Sequence, residues 1–225
     1  MKKSFLCIAL SAMVLLSTVP IHAKTKIHLS KSYITLPTKN TYTLKISGTK
    51  KKAKWISNQK KIATVTKSGK VTAKKSGTAY ITAQIGKQKF KCKVSVRSNK
   101  SITNKLWDAY DWQCEDIWNK GYCDIYHYIE DGTDSCGDKL NIDKTISDLN
   151  KNYKRRNSWN KFIYSVQDKR YSKFKKTWKK LDTETVRLKN ILDKNGTPAP
   201  KSNYYFPYQK YSNYIWKLFD NVSDL

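Results

Sequence analysis

The 225-residue sequence predicts a multidomain chain, a small all-β sandwich followed by an all-α helical bundle. Three observations carry this. Between Ile27 and Val96 apolar residues recur with period two, the pattern of strands buried on one side; beyond residue 100 they recur at three- and four-residue spacing, the pattern of amphipathic helices. Charge changes at the same place: residues 24–100 hold 21 Lys or Arg and no Asp or Glu, whereas residues 101–225 hold 22 basic and all 17 acidic residues. Six of seven Trp and twelve of fifteen Tyr also fall after residue 100.

The chain opens with Met1-Lys2-Lys3, an apolar run from Phe5 to Val19, and Ile21-His22-Ala23, the outline of a secretory signal peptide over residues 1–23. Cleavage after Ala23 leaves 43 basic against 17 acidic residues, a formal charge of +26. Retention as an uncleaved anchor is the alternative. The run is short for a membrane span, and no second run of about eighteen apolar residues follows, so the mature chain is expected to lack a transmembrane span.

In residues 24–97 the alternating groups are Ile34 and Leu36, Tyr42-Leu44-Ile46, Ala63 and Val65, Val71 and Ala73, Ala79-Ile81-Ala83-Ile85, and Phe90-Cys92-Val94-Val96. Turn residues separate them at intervals of about 8 to 12 residues, which suits a sandwich of about seven strands. The pieces "YTL" at 42–44, "KWISNQKKIATV" at 54–65, "GKVTAKKSGTAYITA" at 69–83 and "KCKVSV" at 91–96, in that order, resemble the bacterial immunoglobulin-like domain, group 2. The resemblance covers about residues 27–96. It implies a spacer or adhesive sandwich outside the cell, with Trp55 in its core and no catalytic residues. Cys92 has no cysteine partner in this segment, which leaves it a buried small hydrophobe or one half of an interdomain bridge.

Residues 98–104 are polar and read as a linker into a helix capped by Ser101 or Thr103. In the helical domain, 105–225, the first stripe is Leu106, Tyr110, Cys114, Ile117, Ile125 and Ile129, with Gly121 as a possible interruption. A loop at Asp131–Asp138 follows, then a helix capped by Asp143 carrying Ile146, Leu149, Tyr153, Phe162, Ile163 and Val166, bent near Asn157-Ser158. A third, from about Asp168 to Asn195, presents Phe174, Trp178, Leu181, Thr185, Leu188 and Leu192, and ends at Gly196. The fourth, from near Pro207, carries Tyr208, Tyr211, Ile215, Leu218, Phe219 and Val222. Four such helices suit a bundle.

The expected contact residues follow from charge and aromatic placement. Lys89, Lys91 and Lys93 alternate with apolar residues and so line the outer face of their strand; Lys50, Lys51, Lys52, Lys60, Lys61, Lys74 and Lys75 add loop cations with no local acid, a field that attracts polyanions. Lysine that merely keeps strand edges soluble is the competing account. Tyr204, Tyr205 and Tyr214 exceed what one helix face buries and are expected to stack on a glycan or partner, unless the bundle packs them.

Cys123 and Cys136 are the expected disulfide in an exported chain, leaving Cys114 and Cys92 free or bridged to each other. Cys123 and His127, one helical turn apart, lack an orienting third group, and the acidic loop from Glu130 to Asp143 lacks calcium-loop spacing; no catalytic residue, metal or cofactor is therefore expected. Export argues against nucleic acid. The reading is a secreted, surface or cell-wall-associated adhesion protein, not an enzyme, whose partners are an anionic wall polymer such as teichoic acid, an anionic glycan, or a surface protein. A wall-acting enzyme with catalysis in the helical domain and a plain structural spacer are the alternatives.

Overall fold

A computed structural model describes residues 26–225; the expected signal peptide, residues 1–23, lies outside the described residues. Strand alternation places its elements as the pattern requires. Strands β1 (His28–Leu29) and β4 (Ile46–Ser47) pair with each other, β3 (Thr41–Thr43), β7 (Lys70–Ala73) and β6 (Ala63–Val65) form a three-stranded sheet, and β2 (Tyr33–Pro37), β9 (Gln88–Arg97), β8 (Gly77–Ile85) and β5 (Lys54–Ser57) form a four-stranded one in that order. These nine strands include two of only two residues, which is why about seven were countable from the pattern. All neighbours are antiparallel except β2 and β9, which run parallel with Tyr33 opposite Lys93 and Pro37 opposite Arg97.

The inner faces meet in a core of Ile34, Leu36, Leu44, Ala63, Val71, Ala73, Ala79, Ile81, Cys92, Val94 and Val96. Trp55 was expected inside it. It is half-buried instead, packed from the margin over Gly69, where a Cβ would lie 2.4 Å from the Leu44 carbonyl oxygen and 2.9 Å from the Trp55 ring. Gly69 has φ +85°, so any side chain there meets both backbone strain and collision.

The expected linker 98–104 is helical from its second residue. Ser98, at the end of β9, is the N-cap whose Oγ accepts from the Ser101 N–H at 3.1 Å, and α1 (Asn99–Asp111) starts at once. It runs on through a π-helical stretch, Trp112–Cys123, into α2 (Asp124–Asp131). Gln113 and Ile117 continue the buried register of Leu106 and Ala109, with Cys114 beside them half-buried, and the wider π turn shows in the five-residue step from Ile117 to Tyr122, which also reaches the core. Gly121 does not interrupt this rod; it allows close approach of Leu149, whose Cδ1 would be 3.0 Å from a Cβ.

The remaining helices are α3 (Ile142–Tyr153), α4 (Arg156–Ser165), α5 (Ser172–Asn195) and α6 (Gln209–Ser223). The α3–α4 bend falls at Lys154–Arg155, just before the expected Asn157-Ser158. Asn141 rather than Asp143 caps α3, its Oδ1 accepting from the Lys144 N–H. A second core, built on Trp112, Tyr122, Phe174, Trp178, Tyr211 and Leu218 among others, joins these helices, with α5 packed along α6. No helix among the described residues is long and apolar enough to cross a membrane.

The two cores are joined by more than the chain. The free edge of β2 is covered by residues 165–167: the Gln167 N–H donates to the Thr35 carbonyl at 2.9 Å, Thr35 and Val166 form a parallel bridge, and the buried Thr35 and Ser165 hydroxyls are 2.7 Å apart. Asn40 Nδ2 donates to Asp168 Oδ2 at 2.6 Å beside them. An edge strand that would otherwise present unpaired amides and carbonyls is thereby closed.

Candidate polyanion-binding surface

Period-two geometry builds this surface. Because Cys92 and Val94 point inward, Lys89, Lys91 and Lys93 point outward from the four-stranded sheet, opposite Gln84, Thr82 and Tyr80 of β8. All three are exposed, as are Lys50, Lys51, Lys52, Lys60, Lys61, Lys74 and Lys75. The turn before β6 and the β7–β8 turn come together, with the Lys74 N–H donating to the Ile62 carbonyl at 2.7 Å, so Lys60, Lys61, Lys74 and Lys75 share one end of the sandwich. Lys50–Lys52 lie in the separate β4–β5 connection. None of the ten enters an ion pair with any described residue.

The outward row does not stop at Lys93. It continues through Ser95 to Arg97, and α4 brings Lys161 beside it: the Lys93 and Lys161 ammonium groups each lie 6.0 Å from the centre of the Tyr33 ring. Sequence reasoning missed Lys161 because its position depends on how α4 docks against β2. Arg97 was within reach of the same alternation that found Lys93.

The aromatic expectation divides. Tyr204 is half-buried against the helical core, its hydroxyl donating to the Gly196 carbonyl at 3.0 Å, and Tyr214 is half-buried with the Lys180 and Lys217 ammonium groups over its ring. Tyr205 alone of the three stays open, 75 % exposed. The other open ring of this region is Trp216, 66 % exposed, and Phe219, expected inside, is partly exposed too.

The expected Cys123–Cys136 disulfide is absent; both thiols are free, as are Cys92 and Cys114. The loop explains the arrangement. Asp134 Oδ1 accepts from the N–H groups of Cys136 and Asp138, and Asp124 Oδ1 accepts from the N–H and hydroxyl of Ser135, which fixes a tight turn with Cys136 at the surface while Cys123 is half-buried. Of the loop carboxylates, Asp134 is thereby engaged with its own loop's backbone. Burial, and then the Asp124 carboxylate, push the Cys123 thiol up, opposite to the direction of an activated nucleophile.

Burial pushes Cys92 further, to about 12 from 9.0. In the unfolded chain this thiol ionises near 9.0, so between pH 9.0 and 12 the unfolded state binds fewer protons than the folded one, and stability falls as pH rises through that window. Native alkylation without reductant is therefore expected to label Cys136 first and Cys92 only after unfolding, and Cys92→Ala is expected to flatten the alkaline loss of stability. Mass spectrometry of timed alkylation and denaturant melts at several pH values check both.

Residues 24–96 match the family model of the bacterial Ig-like domain (group 2), about a third of the chain. That segment is therefore a bacterial Ig-like domain, followed by a helical region. Among solved structures, the chain is similar to a GH10 xylanase from termite gut that contains a bacterial Ig-like domain, at 22 % identity over 34 % of this chain and 23 % of that one, with a TM-score of 0.27. It is similar also to a mutant of intimin from EHEC O157:H7, at 22 % identity over 38 % of this chain and 66 % of that one, with a TM-score of 0.29. A comparison with curated proteins finds no match.

Proposed function

We propose that this is an exported, surface- or wall-associated binding protein whose Ig-like domain contacts anionic envelope polymers or anionic glycans. One observation carries the reading: residues 24–100 hold 21 cations and no carboxylate, and ten of those lysines stand exposed, without an ion-pair partner among the described residues, on one sheet face and three loops. An average soluble domain interleaves both signs, which quenches its field; here the field reaches outward over about 10 Å at ordinary salt. The Ig-like class supports an extracellular setting, and the helical region supplies the second, more selective contact through Tyr205 and its neighbours.

Binding rather than catalysis is the proposed activity. Retention of the protein on purified cell walls and on teichoic acid is expected to be strong at low salt and to fall at least tenfold between about 50 and 200 mM salt, as counter-ion release at several charge contacts requires. Salt-independent retention overturns the electrostatic reading, and no retention at low salt leaves a spacer. Turbidity of the walls is expected to stay constant; lysis that disappears when helical-domain acids are changed replaces the proposal with an enzyme.

A further inference from the structure

Where the outer face of β9 runs under the helical region, a cavity of about 440 Å³ opens between the two cores. Its charged lining is Lys93 and Arg97 from β9, Lys105 from α1 and Lys161 from α4, with no carboxylate among the residues that form it. None of the four cations is in an ion pair with a described residue. Rings hold the lysines in place: Lys93 and Lys161 flank Tyr33, and the Lys105 ammonium stands 5.6 Å from the Trp159 ring and 5.2 Å from that of Phe162. Contacts of this kind only partly offset the repulsion among four like charges.

A second observation falls on the same place. The buried side-chain donors without a partner among the described residues are Arg97 Nε and Trp159 Nε1, and both side chains line this cavity. A buried donor left unpaired is costly. Trp159 also borders a separate hollow containing Asp108, Asp111, Glu115 and Asp116, so it stands between a basic and an acidic cavity.

We propose that the basic cavity binds a tetrahedral oxyanion with three free oxygens, a sulfate ester or a terminal phosphate monoester carried by an anionic polymer. The chemistry selects this class over a carboxylate. Four cations present more charge and donors than a carboxylate, with one charge and two oxygens, engages, whereas a phosphate monoester or a sulfate ester presents three strong acceptor oxygens in a tetrahedral array. The volume is within the range of small-ligand sites, with room for a sugar or glycerol unit beside the anion against Tyr33. The site rests on the polyanion reading above and gives it one defined place, shared between the Ig-like and helical regions.

Calorimetric titration of the purified protein with glycerol 3-phosphate, a monosaccharide sulfate and acetate tests it. One saturable site for the phosphate or the sulfate ester is expected, and which ester binds more tightly distinguishes the polymer source; acetate is expected to bind at least tenfold more weakly. Lys105→Gln/Lys161→Gln is expected to weaken that site at least tenfold, and the charge-matched exposed pair Lys179→Gln/Lys210→Gln less than twofold, with melting temperatures of both variants near that of the parent. Equal loss in the two variants, acetate binding as tightly as the esters, or no saturable site overturns the proposal. A polymer titration separates it from the broader reading: polymer bound without the small esters removes the cavity and keeps the lysine face, and the esters bound without polymer does the reverse.

Discussion

Trp178→Ala is expected to destabilise the helical region by about 3–5 kcal/mol, the range for emptying a fully buried tryptophan site. Trp178 has no solvent exposure, stacks on Phe174 at 6.0 Å between ring centres and lies 6.2 Å from Trp112, so its removal opens a void lined by large, stiff rings that cannot collapse into it. The indole also holds a polar contact. Its Nε1 donates to Asn160 Oδ1 at 2.6 Å, which fixes the amide so that Asn160 Nδ2 faces both oxygens of Asp182 at 3.2 Å. Trp178→Phe keeps most of the volume and loses the donor, and is expected to cost about 1–2 kcal/mol. Urea unfolding followed by helical circular dichroism reads both. A loss from the alanine variant no larger than that from the phenylalanine one shows that the void closes.

Asp182→Ala is the second large effect, an expected loss of about 3 kcal/mol. Asp182 is nearly buried and takes a bidentate pair from Arg156, Nε to Oδ1 at 2.5 Å and Nη2 to Oδ2 at 2.7 Å. Removing the carboxylate leaves a largely covered guanidinium with no anion and an Asn160 amide with no acceptor. The loss measures that stranded charge more than the worth of the pair. Arg156→Met/Asp182→Leu is accordingly expected to recover most of the stability, because neither charge then needs solvation. Failure of the double variant to improve on Asp182→Ala means that the pair supports local geometry beyond its charge. Since Asn160 connects this pair to Trp178, Trp178→Phe and Asp182→Ala are expected to be non-additive.

Neither network is readable from spacing. Trp178 and Asp182 sit one turn apart on α5, and the stripe Phe174, Trp178, Leu181, Thr185, Leu188 and Leu192 identifies the buried face, all six being buried. Which polar residues that face meets depends on α4 and on the π-helical stretch. Gln113, fully buried, shows another limit: it continues the α-helical register of Leu106 and Ala109, but spacing does not reveal the partners that let an amide stand there, its Oε1 accepting from the Tyr211 hydroxyl at 2.7 Å and its Nε2 donating to Thr185 Oγ1 at 3.3 Å. The π deviation comes after it, in the five-residue step from Ile117 to Tyr122, which 3.6-residue counting does not contain.

The candidate surface divides along the same line. The outward row Lys89, Lys91 and Lys93 is legible because a strand has no choice about parity once Cys92 and Val94 face the core. Exposure of the loop lysines is legible because an ammonium group stays in water. Tyr204 and Tyr214 were less so. Burial of a tyrosine depends on whether another element covers it, and a neighbouring backbone carbonyl or a pair of lysines holds each of these two rings.

By itself, then, the sequence determined the two-part composition, the Ig-like segment, the acid-free charge and the apolar stripes, because each follows from local periodicity or from counting. Only the tertiary structure decided that the presumed linker is a capped helix, that residues 165–167 close the edge of β2, and that Lys93, Arg97, Lys105 and Lys161 surround one cavity. Those are contacts between residues far apart along the chain, set by how α1 and α4 dock on the sheet, and no local rule of spacing specifies a docking.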